Sequence, residues 1–149
     1  MKFEIHELQF SNDLSTWSST FAKKQAGEWP RHRIEKAISS PGTSVDGGFA
    51  NGVLVAIIVY RTFAGILEVD FLGTSIEHRR RGFMSRLLRE VCGQCSVEAV
   101  WLEVHKNNLA ARYFYQNMGF IKTGERSNYY QDGAPAELWT WNNPLNSIA

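Results

Sequence analysis

Glu103 stands in Trp101-Leu102-Glu103-Val104, a strand-like run with one carboxylate among apolar side chains. A carboxylate there is either turned to solvent or held in a cleft, and burial in a cleft would suit it to act as a general base. Tyr115 follows on a stretch with helical spacing that also carries Leu109, Tyr113 and Gln116. A tyrosine so placed is either a core residue or a proton donor. Asn108, between the two, has the side chain of a helix N-cap, and capping alone would account for it.

A second stretch precedes these residues. Phe71 to Leu88 reads FLGTSIEHRRRGFMSRLL, a strand that runs into a short basic turn, then Gly82, then a helix. The backbone N–H groups at the start of such a helix lack intrahelical partners, and donors and dipole together favour an anion. Gly82 lets the backbone approach a phosphate without a side chain in the way. Arg79, Arg80 and Arg81 add positive charge beside it, so a pyrophosphate fits. The alternative is a solvated arginine patch with Gly82 as a turn residue. The spacing excludes a Walker loop, which needs GxxxxGK and a hydroxyl residue, and a GxGxxG dinucleotide fingerprint.

Together the two segments resemble the acetyl-CoA-binding half of the GNAT superfamily, in which a Q/R-x-x-G-x-G/A turn holds the CoA pyrophosphate. Arg79-Arg80-Arg81-Gly82-Phe83-Met84 occupies that pattern. The later segment is similar to a narrower group, the bacterial ribosomal-protein-alanine N-acetyltransferases. It carries Leu102-Glu103-Val104, Asn108, Ala111, Tyr115 and Gly119-Phe120, then Arg126-Ser127-Asn128-Tyr129-Tyr130 and an Asp-Gly shortly after. The resemblance is close from about Val69 to Tyr130 and weak before Gly52. Three features depart from it: Met84 stands where the turn has Gly or Ala, Ile76 replaces a Pro before the turn, and Ala-Pro-Ala-Glu-Leu-Trp-Thr-Trp follows the Asp-Gly.

The resemblance implies an acetyl-CoA-dependent N-acetyltransferase with no metal, acting by direct attack of an amine on the thioester. Glu103 would take the amine's proton through a water, and Tyr115 would protonate the departing thiolate. The backbone of Leu72-Gly73-Thr74 would hold the pantetheine arm or polarise the thioester carbonyl. Arg80, Arg81, Gly82, Phe83, Met84 and Ser85 would bind the pyrophosphate, and Asn108 the CoA arm. Tyr129 and Tyr130 would flank the acceptor, read as a peptide or protein N-terminal α-amine, a ribosomal protein among the possibilities. A small-molecule amine or a lysine side chain is the rival acceptor. A non-catalytic acyl-CoA-binding domain and a nucleic-acid module using the arginine cluster are the rival classes.

These groups must be positioned by the elements around them. The patterning predicts strands over Phe3–Phe10, Val45–Ala50, Val53–Phe63, Ile66–Thr74, Ala99–His105, Phe120–Tyr130 and Glu137–Trp141. It predicts helices from Ser11 to about Lys24, from Pro30 to before Ser39, from Gly82 to about Val91, and from Asn108 to Met118, closed by Gly119. Asn51-Gly52 marks a hairpin. The order is that of an α/β (α+β) fold, a mixed, mostly antiparallel sheet of about seven strands flanked by about four helices.

The chain's 149 residues suit one domain over 1–149, and 44% hydrophobic residues suffice for a core. A formal charge of +1 gives no global field for nucleic acid. Met1 to Phe10 has no signal-peptide run, and Val53 to Tyr60 is too short to span a bilayer, so a cytoplasmic location is expected. Cys92 and Cys95 form a C-x-x-C pair late in a helix, without further ligands at metal-site spacing, and read as reduced structural thiols.

Overall fold

The first half of the chain folds as a meander because two dipeptides turn it. Asn51 (φ 50°) with Gly52 (φ 82°), and Ala64 (φ 49°) with Gly65 (φ 80°), take the left-handed conformations that two-residue hairpins need. The computed structural model describes residues 2–8, 31–142 and 144. Its elements are β1 (Phe3–Glu7), α1 (Arg31–Ile38), β2 (Ser44–Ala50), β3 (Val53–Phe63), β4 (Ile66–Thr74), a 3-10 turn (Ile76–His78), α2 (Phe83–Cys95), β5 (Ala99–His105), α3 (Leu109–Met118), β6 (Ile121–Arg126) and β7 (Ala136–Asn142). The strands form one sheet in the order β1-β2-β3-β4-β5-β7-β6. Every pairing is antiparallel except that of β4 with β5.

Each face of the sheet carries its own core. On one face α2 buries Phe83, Leu87, Leu88, Val91 and Cys92, and α3 buries Tyr115 and Met118, against Val55, Ile58, Val100 and Leu102. On the other, Ile34 and Ala37 of α1 pack on Leu54, Ile57, Val59 and Phe71. β3 alternates between the two clusters and is buried from Leu54 to Tyr60, which explains its continuous apolar run. Among the described residues no helix is long and apolar enough to cross a membrane.

Several boundaries differ from the sequence expectations. Three α-helices lie among the described residues rather than about four; the helix expected from Ser11 to Lys24 and the Pro30 start fall outside them. α2 continues past Gly93 to Cys95, because an isolated glycine lowers helix propensity without ending a helix whose apolar face is buried. It stops where Ser96 turns left-handed at φ 52°. β6 ends at Arg126 rather than Tyr130, where Asn128 (φ 53°) turns the chain, so Tyr129 and Tyr130 belong to a loop. Cys92 and Cys95 are free, and burial pushes the Cys92 thiol up to about 12, which removes it as a nucleophile.

Candidate active site

The site begins as a fault in the sheet. β4 and β5 pair in parallel only over Ile66–Val69 and Ala99–Leu102, and beyond that the two strands part. The cause lies in β4. Val59 pairs with Phe71 and Tyr60 with Val69, so Asp70 is an extra residue, a β-bulge. The bulge shifts the side-chain alternation by one: Leu67, Val69 and Leu72 meet the α2 face, whereas Phe71 packs with α1 on the other. The edge of β4 after Asp70 therefore keeps its backbone groups for something other than β5.

Glu103 and Tyr115 meet at this parting. Both line a narrow hollow of about 90 Å³, with Leu72, Met84, Asn108 and Tyr130 among its other walls. Burial raises the Tyr115 hydroxyl well above the ordinary phenol range, so it stays protonated and can donate. Its ring is fixed by Phe114 and Phe120, with centroids 5.1 Å away in each case. Asn108 caps α3, its Oδ1 accepting from the Ala111 N–H at 3.1 Å.

Of the two placements the sequence left open for Glu103, solvent or cleft, the structure gives a half-exposed position on a cleft wall. Its side chain is 30% exposed, and Arg126 Nε lies 3.4 Å from Oε1. Strand alternation explains the placement: Val100, Leu102 and Val104 enter the α2–α3 core, which turns Trp101, Glu103 and His105 to the opposite face. There a second cavity of about 560 Å³ opens, bounded by Arg33, Asp70, Trp101, Arg126, Tyr129 and Thr140 among others. It shares Val69, Asp70, Leu102, Glu103 and Tyr130 with the narrow hollow, so the two adjoin along these residues. Tyr129 hydrogen-bonds to Glu103, whose charge and hydrogen bond raise the Tyr129 hydroxyl. Burial, with the charge of Glu103, pushes the Tyr130 hydroxyl up to about 12.

The basic turn leads into α2 just before Met84, which lines the narrow hollow. Gly82 precedes α2 with φ 79° and no side chain caps the helix. Arg80 is also left-handed, at φ 62°, a strained conformation for a non-glycine residue. Alternation of left-handed and ordinary residues ahead of a helix turns successive N–H groups towards one point, as in an anion nest. A further hollow between α2 and α3 is lined by Arg80, Ser85, Arg89, Leu109 and Tyr113.

Not every predicted residue meets the cleft through its side chain. Phe83 is a core anchor, 3% exposed, so only its N–H could reach a ligand. Arg81 lies over the Phe83 ring at 5.1 Å. A Cβ on Gly73 would come within 2.5 Å of the Phe71 ring, so its lack of side chain is already explained by packing. Thr74 is buried. The sequence reading missed His105 and Asp132. The His105 Nε2 and Asp132 Oδ2 are 2.8 Å apart, and their separation of 27 residues left no local signal beyond the Asp-Gly itself.

Known proteins share this fold. The Acetyltransferase (GNAT) family profile matches residues 4–120. The chain belongs to the GNAT acetyltransferase family. It is 33% identical over 113 residues, 72% of each chain, to the N-alpha-acetyltransferase RimI of Mycobacterium tuberculosis. The ribosomal-protein-S18-alanine N-acetyltransferase of Escherichia coli superposes with a TM-score of 0.76 at 20% identity, over 95% of this chain and 94% of that one. A GNAT family acetyltransferase from Elizabethkingia anophelis with acetyl-CoA bound superposes with a TM-score of 0.69 at 13% identity, over 94% and 97% of the chains.

As a GNAT enzyme the protein is an acetyl-CoA-dependent N-acetyltransferase. Its residues fit that co-substrate. The uncapped start of α2, next to Arg80 and Arg81, matches a pyrophosphate. The parting after Asp70 leaves a strand edge for the amides of a pantetheine arm. Met84, the departure from the family turn, is half-buried on the wall of the narrow hollow, where a larger side chain takes up room.

Proposed function

We propose that the chain transfers the acetyl group to the N-terminal α-amine of a peptide or protein, with Glu103 as the base and Tyr115 as the acid. The observation that carries this reading is their position on one hollow, with Glu103 also facing the wide cavity next to Tyr129 and Tyr130. The acceptor would enter from the wide side and acetyl-CoA from the side of α2.

Acetyl-CoA supplies an acyl group activated as a thioester. An α-ammonium has a pKa of about 8, so at neutral pH most of it must lose a proton before it can attack. Glu103 takes that proton, directly or through a water, while Arg126 and Tyr129 hold the carboxylate in place. Tyr115, protonated at any physiological pH, gives its proton to the leaving sulfur, whose thiol has a pKa of about 8.5 by analogy with cysteine. Backbone N–H groups along β4 are available to the thioester carbonyl. Resemblance to an N-alpha-acetyltransferase, RimI of Mycobacterium tuberculosis, supports an N-terminal α-amine as acceptor.

The test is CoA release with a peptide bearing a free N-terminal Ala and no Lys, the same peptide N-blocked, an N-blocked peptide with an internal Lys, and spermidine. Turnover confined to the free N-terminus is expected. Turnover with spermidine or the internal Lys alone would overturn the acceptor and leave the chemistry standing.

A further inference from the structure

We propose that His105 is a positioning residue: through Asp132 it fixes the 127–135 loop so that Tyr130 forms the wall between the co-substrate hollow and the acceptor cavity. This rests on the reading of that cavity as the acceptor site.

His105 is 4% exposed, two residues beyond Glu103 on the same face of β5, and the acetyl-transfer steps do not use it. Both ring nitrogens are engaged. Nδ1 accepts from the Asn107 N–H at 3.0 Å, which makes it the unprotonated nitrogen. Nε2 therefore carries the proton and donates it to Asp132 Oδ2 at 2.8 Å. The other oxygen of Asp132 accepts from the Ala134 N–H at 2.9 Å. These two donors hold the Asp132 carboxyl below the usual carboxylate range. One carboxylate thus joins strand β5 to the turn of the loop.

That turn is the one that carries Tyr130. The Gly133 N–H donates to the Tyr130 carbonyl at 2.9 Å, and the Tyr130 N–H donates to the Ala134 carbonyl at 3.2 Å. The Tyr130 ring lies on the His105 ring, with centroids 4.6 Å apart and planes 32° apart. The imidazole is a latch on one side and a platform on the other. The loop's second tie, Lys106 N–H to the Pro135 carbonyl at 3.1 Å, lies past the turn and does not fix Tyr130.

Three variants separate positioning from packing. His105→Ala removes latch and platform. His105→Gln restores a donor close to the place of Nε2. Asp132→Asn keeps shape but offers a single carbonyl oxygen to two donors. The readouts are the KM of the acceptor and of acetyl-CoA, using whichever amine supports CoA release, and the rate of trypsin cleavage after the exposed Arg126. Asp132→Asn is expected to raise acceptor KM about tenfold, the loss of one charge-assisted hydrogen bond, and His105→Ala to raise it further because the ring contact with Tyr130 goes too. For Asp132→Asn, which leaves the hollow's lining intact, acetyl-CoA KM should stay within about twofold; cleavage after Arg126 should accelerate, and the double variant should be no worse than His105→Ala alone. His105→Gln should recover the share of the loss that belongs to the latch and not the share that belongs to the ring contact.

An isosteric Asp132→Asn that behaves as wild type in both readouts would overturn the proposal. So would equal losses in both KM values for Asp132→Asn, or a His105→Gln as damaged as His105→Ala. If every acceptor fails with the wild type, the functional reading falls, and the trypsin comparison still decides whether the latch holds the loop.

Discussion

The two sides of the cleft are made of different material. On the co-substrate side the groups that would meet phosphate and amide belong to the backbone: the uncapped start of α2 and the edge of β4 beyond its bulge. On the acceptor side they are side chains, and the polar ones are already paired with each other. Glu103 holds Arg126 and Tyr129, and Arg61 reaches Glu68 at 2.6 Å and Asp70 at 3.1 Å. Backbone donors are set by the fold and read a ligand shared by the whole family. Paired side chains can be exchanged one at a time, so a common scaffold can serve different acceptors. An acceptor ammonium entering the wide cavity would compete with Arg126 for Glu103.

The sharpest way to break this contrast is Glu103→Gln. If the acceptor side supplies the base, turnover at neutral pH should fall by about 100-fold or more. The deficit should shrink above about pH 8, where the acceptor amine is already deprotonated. A pH–rate profile of kcat/KM decides it, and a deficit constant across pH would remove Glu103 as the base. Next in size is Tyr115→Phe. The variant keeps the ring packing and deletes the buried donor, so kcat should drop by about 10- to 100-fold with acetyl-CoA affinity unchanged. Calorimetric titration with CoA checks the second half, and a collapse of binding would make Tyr115 a packing residue.

How far the sequence could be read follows the same division. Asn51-Gly52, Gly82 and Asn108 act within a few residues of themselves, so hairpin, helix start and cap were all visible as local rules. The meeting of Glu103 and Tyr115 came from family resemblance, because nothing local says that a strand and the next helix share a hollow. For Glu103 the apolar run left solvent and cleft both open, and strand alternation with the partner Arg126, 23 residues on, decides between them only in the fold. The bulge at Asp70, which opens the cleft, has no signature of its own in LEVDFLG; it shows only in the pairing of β3 with β4. His105 and Asp132 belong to segments joined only after β5, β6 and β7 assemble.

A third experiment concerns what holds α3, and so Tyr115, against the acceptor-side strands. Glu137 of β7 is 1% exposed, with Arg112 Nε at 2.8 Å, Lys122 Nζ at 3.1 Å and Trp139 Nε1 at 3.2 Å. Burial pushes its carboxyl upward, but the hydrogen bonds from Lys122 and Trp139 and the charges of Arg112 and Lys122 outweigh it and hold it below the usual range. A carboxyl lowered on folding contributes stability above its unfolded pKa of about 4.3, and that contribution is lost as pH falls through the folded value. Glu137→Gln should cost about 2 kcal/mol at pH 7, less than a fully buried pair because Arg112 and Lys122 reach water. The gap in Tm between wild type and variant should narrow as pH falls below about 4. A gap independent of pH would mean that the carboxylate's charge is not what holds β7 to α3.

The smallest effect tests the backbone side. Gly82 has φ 79°, and a Cβ built there meets nothing within 4 Å. Gly82→Ala therefore adds no clash, only the cost of holding an L-residue in the left-handed region, about 1 kcal/mol. The chain can avoid that cost by unwinding the first turn of α2, which would pull the N–H groups away from the phosphates. The KM for acetyl-CoA should then rise about fivefold while acceptor KM stays constant. That outcome mirrors the one expected for Asp132→Asn, and the pair of variants would show that the two sides of the cleft can be changed independently. A rise in both KM values from Gly82→Ala would mean instead that the start of α2 also shapes the acceptor cavity, and that the division between backbone and side-chain recognition is not a division between sites.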